Sequence, residues 1–144
     1  MDILTPVERS KRMRLVKSEG TQPELIARRI IRGLHYRFRS HIKELPGSPD
    51  FVFPDRKKVV FVHGCFWHQH SACREDHRPR SPKSRKNYWR TKLQANLRRD
   101  RKNQRALNRL GWSYLVVWEC MLRNKSKVAK IPARINSFLK HNRD

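Results

Sequence analysis

Three cysteines and one histidine have the residue types and the spacing of a metal site. Cys65, His70 and Cys73 lie within nine residues of the chain, and Cys120 follows an apolar run further on. Zinc prefers four thiolate or imidazole ligands in a tetrahedron, brought together by the fold. An odd number of cysteines argues against a disulfide framework, which uses them in pairs. The pattern predicts a structural zinc site that holds loop 64–82 against a sheet.

Two alternatives to this ligand set stay open. His68 and His77 are close enough in the chain to replace His70 as the nitrogen ligand. The three cysteines could also be unrelated reduced thiols beside a surface histidine. We favour zinc because it accounts for every cysteine and for a long loop that otherwise has nothing to hold it.

A second group of residues has the types needed for acid–base chemistry. Asp50 precedes an apolar segment, so its carboxylate is expected at a sheet edge where a cation could bind, although an Asx turn is the alternative. His63 ends the next apolar segment, and His68 follows in the same loop. Asp100 falls on the apolar face of a predicted helix, where a carboxylate needs a partner. A histidine such as His68 would satisfy it, and an arginine salt bridge is the alternative.

Aromatic residues stand among basic ones at two places. Phe66 and Trp67 lie in the polar loop, and Trp89 begins the long helix amid lysine and arginine. Such residues suit stacking on DNA bases or wedging between them. Core packing is the alternative, and it fits Trp89 better than the other two.

The charge of the chain indicates its partner. Thirty-five Lys and Arg against 12 Asp and Glu give a net charge of +23 in 144 residues. Such a surplus destabilises a compact chain by self-repulsion unless a polyanion neutralises it, and nucleic acid is the expected polyanion. An anionic membrane surface is less favoured, because no amphipathic helix with an exposed apolar face stands out. No apolar run is long enough to span a membrane, so we expect a cytoplasmic protein.

The elements that must position these residues can be placed along the chain. Residues 1–20 are expected to form a basic N-terminal arm, and residues 21–144 a single domain. A helix begins at Thr21 with a capping box, which gives Glu24 an ordinary structural role. Gly33 marks its exit, and the residues with helical spacing are Leu25, Ala27, Ile30, Ile31 and Leu34. Apolar segments 51–53 and 59–63 predict a β-hairpin.

The second half predicts a long helix, a strand and a last helix. The long helix runs from about Ser84 to Leu110 and is capped by Gly111, and its predicted buried stripe is Trp89, Leu93, Leu97, Leu107 and Leu110. Segment 114–118 is continuously apolar, which is typical of a strand in the middle of a covered sheet. We expect it to lie parallel to a hairpin strand, so that residues near 63 and 119 meet. The last helix covers about Pro132 to His141, and the order predicts an α/β sandwich.

Several motifs together resemble one known family. They are Pro46-Gly47-x-Pro49-Asp50-Phe51-Val52, Val62-His63-Gly64-Cys65-Phe66-Trp67-His68-x-His70, Asn96-x-x-Arg99-Asp100, Gly111-Trp112 and Val117-Trp118-Glu119-Cys120. In order and spacing they resemble the Vsr family of very-short-patch mismatch-repair endonucleases, over about residues 5–125. The resemblance implies a restriction-endonuclease-like three-layer sandwich of the PD-(D/E)XK type, with a central mixed sheet flanked by helices and a structural zinc site.

The resemblance also implies roles for single residues. Catalytic Mg²⁺ is expected on Asp50 and the backbone carbonyl of Val62, where better-known members have threonine. His68 matches the general base, Asp100 orients it, Glu24 lies nearby, and His63 matches a second catalytic histidine. The expected zinc ligands are Cys65, His70, Cys73 and Cys120. The expected DNA contacts are Phe66, Trp67 and Trp89 as wedging aromatics, with Met13, Arg14 and Asn96.

The implied function is nicking of one DNA strand beside a T:G mismatch by Mg²⁺-dependent phosphodiester hydrolysis, which starts very short patch repair. The implied partners are mismatched double-stranded DNA and mismatch-repair proteins, and the expected enzyme is a monomer. Two alternatives are a nuclease with another lesion or sequence as target, and a zinc-containing DNA-binding module without activity.

Overall fold

The computed structural model describes residues 21–65, 68, 70 and 86–141, without the side chains of Lys86, Asn87 and Trp89. Several predictions concern residues outside these ranges. They are the basic arm 1–20 with Met13 and Arg14, the aromatic pair Phe66 and Trp67, the side chain of Trp89, the ligand Cys73 and the alternative ligand His77.

Helix α1 covers Gln22–Gly33. It begins as the capping box predicts, because Thr21 Oγ1 accepts a hydrogen bond from the backbone N–H of Glu24 at 3.4 Å. Ala27 and Ile31 are fully buried on its inner face. Leu25, which was named with the residues at helical spacing, does not share this face and is 45% exposed. Leu25 is two residues before Ala27, which places it about 200° around the helix axis from that residue, so its side chain faces solvent.

The predicted hairpin is confirmed. Strand β2 (Phe51–Phe53) pairs antiparallel with β3 (Lys58–His63), and a 3₁₀ turn at Pro54–Arg56 joins them. Strand β1 (Arg39–Ser40) adds to the other edge of β2, antiparallel to it. The sequence gives no signal for β1, because two polar residues show no alternation of apolar and polar types.

Helix α2 covers Lys86–Arg109 and ends in a Schellman turn. Gly111 has a φ of +85° and donates its N–H to the carbonyl of Asn108 at 3.1 Å, while Trp112 donates to Leu107 at 2.9 Å. Leu93 and Leu107 are buried as predicted. Placing Leu110 on the buried stripe was wrong, since it is 58% exposed. The helix has ended by then, and the turn carries the chain back toward the sheet.

Strand β4 (Ser113–Trp118) lies parallel to β3, as predicted, with His63 opposite Trp118. Its expected place in the middle of the sheet was wrong, because the described strands follow the order β1-β2-β3-β4 and β4 stands at an edge. Its apolar run has another cause. Leu115 and Val117 pack into a core on one face, and Tyr114 and Val116 pack into a core on the other.

Helices pack on both faces of this mixed sheet. On one face the core joins Phe51, Phe53 and Val60 of the sheet to α1 and to α5 (Ile131–Lys140). On the other face it joins Val59 and Phe61 to Leu107 of α2. Two short helices, α3 (Glu119–Arg123) and α4 (Lys125–Val128), connect β4 to α5. Within the described ranges, no helix has the length and apolarity needed to cross a membrane.

Candidate active site

The hairpin register brings Asp50 to the carboxyl end of β3. Phe51 pairs with Val60 in the antiparallel hairpin. Asp50, the residue before β2, therefore lies beside the last residues of β3. Asp50 Oδ2 accepts a hydrogen bond from the backbone N–H of Val62 at 2.7 Å. A cleft of about 470 Å³ opens here. Its lining residues are His41, Gly47, Ser48, Asp50, Phe61, Val62, His63, His68, Arg99, Asp100, Asn103 and Gln104.

Asp50 is a half-buried carboxylate beside a second carboxylate and a histidine. Burial raises its pKa to about 6, and this outweighs the lowering by the hydrogen bond from Val62. The carboxylate of Glu24 raises the pKa further, and His41 lowers it. A divalent cation would reverse this balance by stabilising the ionised form, and carboxylate oxygens are the ligands that Mg²⁺ prefers. The donor set here therefore fits a hard cation.

Glu24 of α1 lies beside Asp50 and His41, behind the cleft lining, and is only 3% exposed. Its Oε1 accepts hydrogen bonds from His41 Nε2 at 2.6 Å and from Arg28 at 3.3 Å. Ligand atoms of Glu24, His41 and Asp50 all lie within 4.8 Å of one another. The carboxylate of the capping-box residue is thus directed toward the candidate metal position, although its backbone serves the cap.

His68 and Asp100 form a close pair. His68 Nδ1 lies 2.5 Å from Asp100 Oδ2, which confirms the predicted histidine partner and leaves Nε2 as the other ring nitrogen. The ring of His63 stacks on His68 with centroids 3.7 Å apart. Burial lowers the pKa of His63 to about 3, and the neighbouring His68 lowers it as well, so His63 is neutral near pH 7.

A second cluster lies beyond the ends of β3 and β4. Its members are Cys65, His70 and Cys120, and both cysteines are buried. His70 Nδ1 lies 3.7 Å from Cys65 Sγ and 3.4 Å from Cys120 Sγ. Ideal zinc–sulfur and zinc–nitrogen bonds in a tetrahedron give an edge of about 3.6 Å between the two ligand atoms. The spacing fits zinc, and Cys73, the fourth predicted ligand, is outside the described residues.

Trp118 connects the two clusters. Its ring stacks on His70 with centroids 4.1 Å apart, and it contacts His63 edge-on at 5.3 Å. Because Trp118 is opposite His63 in the β3–β4 register, one indole reaches both histidines. No role was predicted for Trp118 from the sequence, although its position two residues before Cys120 was a usable signal.

The predicted DNA contact at Asn96 is buried. Asn96 is only 6% exposed, and its Oδ1 accepts a hydrogen bond from Arg99 at 3.0 Å. It is Arg99 that lines the cleft. Sequence reasoning missed Arg99 and His41 as cleft residues. For Arg99 a signal existed, since it adjoins Asp100 at the border of the apolar helix face, but His41 lies in a loop without a pattern.

Comparison with known proteins gives several matches. A family model described as "DNA mismatch endonuclease Vsr" matches residues 1–74. The type II nicking enzyme V.XorIIP of Xanthomonas oryzae is 45% identical over 138 residues, which cover 96% of each chain. The type II nicking enzyme V.NmeAIP of Neisseria meningitidis is 41% identical over 125 residues, 87% of this chain and 86% of the other. The DNA mismatch endonuclease Vsr of Escherichia coli is 37% identical over 127 residues, 88% of this chain and 79% of the other.

These matches, taken with the acid–base cleft and the basic chain, define the class of protein. It is an endodeoxyribonuclease of the strand-nicking kind. Within that class, the chain belongs to the Vsr family.

Proposed function

We propose that the cleft nicks one strand of duplex DNA beside a T:G mismatch by metal-assisted hydrolysis of a phosphodiester bond. The observation that carries this proposal is the His68–Asp100 pair beside the half-buried Asp50 in one cleft. A relative from Escherichia coli is named a DNA mismatch endonuclease, and two others are named nicking enzymes. Mismatched double-stranded DNA is then the substrate of this chain as well.

The proposed metal ligands are the carboxylate of Asp50 and the backbone carbonyl of Val62, with Glu24 nearby. The acidic, buried surroundings that raise the pKa of Asp50 support this assignment. A bound Mg²⁺ would stabilise the negative charge that develops on the phosphate. Val62 needs only its main-chain carbonyl for this role, so a side chain without a hydroxyl suffices there.

His68 is the proposed general base. Asp100 engages Nδ1 and so fixes the tautomer in which Nε2 can take a proton from the attacking water. His63 stacks on the ring of His68 and limits its rotation. In this proposal His63 takes the place that many related nucleases give to a charged lysine.

The remaining assignments belong to the same proposal. The domain is of the PD-(D/E)XK type, with a basic arm at residues 1–20 in front of it. Zinc is held by Cys65, His70, Cys73 and Cys120. The proposed DNA contacts are Phe66, Trp67, Trp89, Met13 and Arg14, while buried Asn96 contributes by holding Arg99. Mismatch-repair proteins are further partners, and one chain with one cleft is enough to nick one strand.

The test is incubation of the protein with Mg²⁺ and a panel of duplexes, matched and singly mismatched, followed by denaturing electrophoresis. We expect one nick in one strand of the T:G duplexes and none in the matched duplexes. His68→Asn should lower kcat by a factor of about 10² to 10⁴, the usual contribution of a general base. Asp50→Ala should abolish nicking without loss of DNA affinity.

Two matched controls use exposed residues away from the cleft. His35→Asn and Asp55→Ala change the same residue types, and neither residue lines the cleft. Both variants should keep the activity of the unmodified protein. If every duplex stays intact while DNA still binds, the chain is a binding module and the proposal is wrong. Nicking of another mismatch only would keep the enzyme and replace its lesion.

A further inference from the structure

Part of the cleft lining has no role in the proposed chemistry. Helix α2 contributes Arg99, Asn103 and Gln104 to the lining, beside Asp100. None of these three side chains holds the proposed metal or the proposed base. They form a polar surface on the same helix as the residue that orients His68, and we call Arg99, Asn103 and Gln104 the α2 wall.

The position of Arg99 follows from the geometry of α2. At about 100° per residue, Asp100 and Leu107 lie toward the sheet, and Lys102 and Arg109 lie on the opposite, exposed side. Arg99 falls between these two faces. Its guanidinium can therefore remain at the surface of the helix and still line the cleft.

Buried Asn96 holds the guanidinium. Arg99 Nη2 donates to Asn96 Oδ1 at 3.0 Å, and Asn96 is only 6% exposed. Among the described residues no carboxylate pairs with Arg99, since Asp100 is paired with His68. A guanidinium has five N–H donors in a fixed plane, so one bond to Asn96 orients it and leaves donors for a ligand.

Charge identifies that ligand as a phosphate group. Among the described residues that line the cleft, Arg99 is the only arginine or lysine, and the lining also carries the carboxylates of Asp50 and Asp100. A phosphodiester entering such a cleft needs a fixed positive charge, and an arginine supplies it at every pH. Arginine binds two phosphate oxygens with parallel hydrogen bonds.

The amides of the α2 wall complete this surface. Asn103 and Gln104 are half-buried in the cleft lining. Within the described part of the chain their side chains make no hydrogen bond to protein, and each amide offers two donors. A half-buried amide without a protein partner suits a polar ligand such as the sugar–phosphate backbone.

We propose that Arg99 is a catalytic residue that binds the phosphate group at the cut site, that Asn96 positions it, and that Asn103 and Gln104 hydrogen-bond to the same strand. This inference rests on the proposed function. Arg99 then stabilises the second negative charge that the phosphate gains when water attacks.

The first experiment compares Arg99→Gln with Arg101→Gln. Both remove one positive charge from α2, but Arg101 is exposed and does not line the cleft. We expect Arg99→Gln to lower kcat for nicking by a factor of about 10² to 10³. Arg101→Gln should leave kcat within about twofold, and Arg99→Lys should recover part of the loss because it restores charge without the planar fork. Equal kcat values for Arg99→Gln and Arg101→Gln would overturn the inference.

The second experiment measures binding alone and needs no activity. Neutral methylphosphonates replace the phosphates around the mismatch, one at a time, and duplex Kd is measured on the zinc-loaded protein without magnesium. At the phosphate that Arg99 contacts, the methylphosphonate should lower the duplex affinity of the unmodified protein and of Arg101→Gln about tenfold. It should lower the affinity of Arg99→Gln by less than about twofold, because that variant has already lost the contact. If no position shows this difference, Arg99 does not bind a phosphate.

A double-mutant test of Asn96 and a folding check complete the two experiments. Asn96→Ala should lower kcat in the unmodified protein but not in the Arg99→Gln background, because a positioning residue acts only through its partner. Circular dichroism checks folding, and Arg99→Met, which also removes the charge, replaces Arg99→Gln in the binding cycle should the latter not fold. A protein that nicks no duplex but shows the binding difference refutes the proposed nicking and keeps Arg99 as a phosphate ligand. A protein that nicks without the difference refutes only the role of Arg99.

Discussion

In the proposed mechanism, Asp50 must satisfy two opposed requirements. Metal binding needs its carboxylate ionised, while burial beside Glu24 favours the protonated form and raises its pKa to about 6. In the absence of metal, the ionised carboxylate at neutral pH is therefore a destabilising feature of the fold. Buried functional groups of this kind reduce stability in exchange for ligand affinity.

This conflict predicts the effect of Asp50→Asn on stability. The folded-state pKa of about 6 lies above the ordinary value of 3.8, so the folded chain binds more protons between these values. The free energy of unfolding then falls as pH rises from about 4 to 6, by roughly 3 kcal/mol for a shift of this size. In magnesium-free buffer, Asp50→Asn should be more stable than the unmodified protein at pH 8 and lose this advantage at pH 4. Urea denaturation at the two pH values measures it.

The control for this prediction is Asp55→Asn, because Asp55 is exposed. It should change stability equally at both pH values. A destabilised Asp50→Asn at pH 8 would mean that the hydrogen bond from Val62 outweighs the cost of burying the charge.

Individual site residues were predictable where a residue type conflicted with its surroundings. Asp100 on an apolar helix face required a partner, and His68 is that partner. His41 gave no such conflict, because a histidine in a polar loop is ordinary until the fold brings Glu24 within 2.6 Å of it. Arg99 is one of many arginines in the chain, and apart from its position beside Asp100 only the cleft distinguishes it.

At the scale of elements, the turn before Asp50 is built for close packing. Leu45 to Ser48 form a turn with Pro46 at its second position and Gly47 at its third, where φ is +82°. A Cβ on Gly47 would lie 3.1 Å from the ring of Phe61 and 3.3 Å from Cβ of Asn103. The turn thus presses against both the strand and the helix that line the cleft.

Three glycine-to-alanine variants separate the backbone effect from the packing effect. Gly33→Ala should be neutral or slightly stabilising, because Gly33 ends a helix with open space around it. Gly111→Ala should cost about 1 kcal/mol, since its φ of +85° is strained for alanine but nothing lies within 4 Å. Gly47→Ala adds crowding against Phe61 and should cost about 2–3 kcal/mol. Thermal unfolding ranks them, and equal losses at Gly47 and Gly111 would remove the packing argument.

Helices and strands with strong local signals were predicted, but the order of the strands within the sheet was not. The capping box at Thr21, the hairpin and the helix end at Gly111 all depend on nearby residues, and all are present. The place of β4 depends on how the long crossover packs. An apolar run shows that both faces are covered, but it does not show which strand lies beyond it.

At the scale of the whole molecule, the net charge and the position of the basic residues both indicate nucleic acid as the substrate. The net charge is +23, and the outward face of α2 carries exposed Arg98, Lys102, Arg105 and Arg109. This basic face is adjacent to the α2 wall on the surface of the helix. A polyanion that binds along the basic face therefore also reaches the cleft. Composition alone indicated nucleic acid, whereas the class of enzyme needed the motifs and the relatives.

The cluster of Cys65, His70 and Cys120 leads us to predict that the whole fold depends on zinc. Cys65 follows β3 and Cys120 follows β4, so a zinc ion between them would join the ends of the parallel strands that carry the active site. Binding energies of structural zinc are as large as the stability of many domains. Stripping zinc with a strong chelator should therefore unfold the protein at 37 °C, and zinc but not magnesium should restore it.

Metal analysis and circular dichroism would test this dependence and identify the fourth ligand together. The native protein should contain about one zinc per chain, the stoichiometry of a single tetrahedral site. Cys120→Ser and Cys73→Ser should both lose the ion and unfold at 37 °C, because each would leave an incomplete tetrahedron. His77→Gln should keep zinc if His70, which is 3.4 Å from Cys120, is the nitrogen ligand. A Cys73→Ser variant that retains zinc would assign the fourth ligand position to another residue. A metal-free chain that stays folded would mean that the ends of the strands do not need zinc to hold them together.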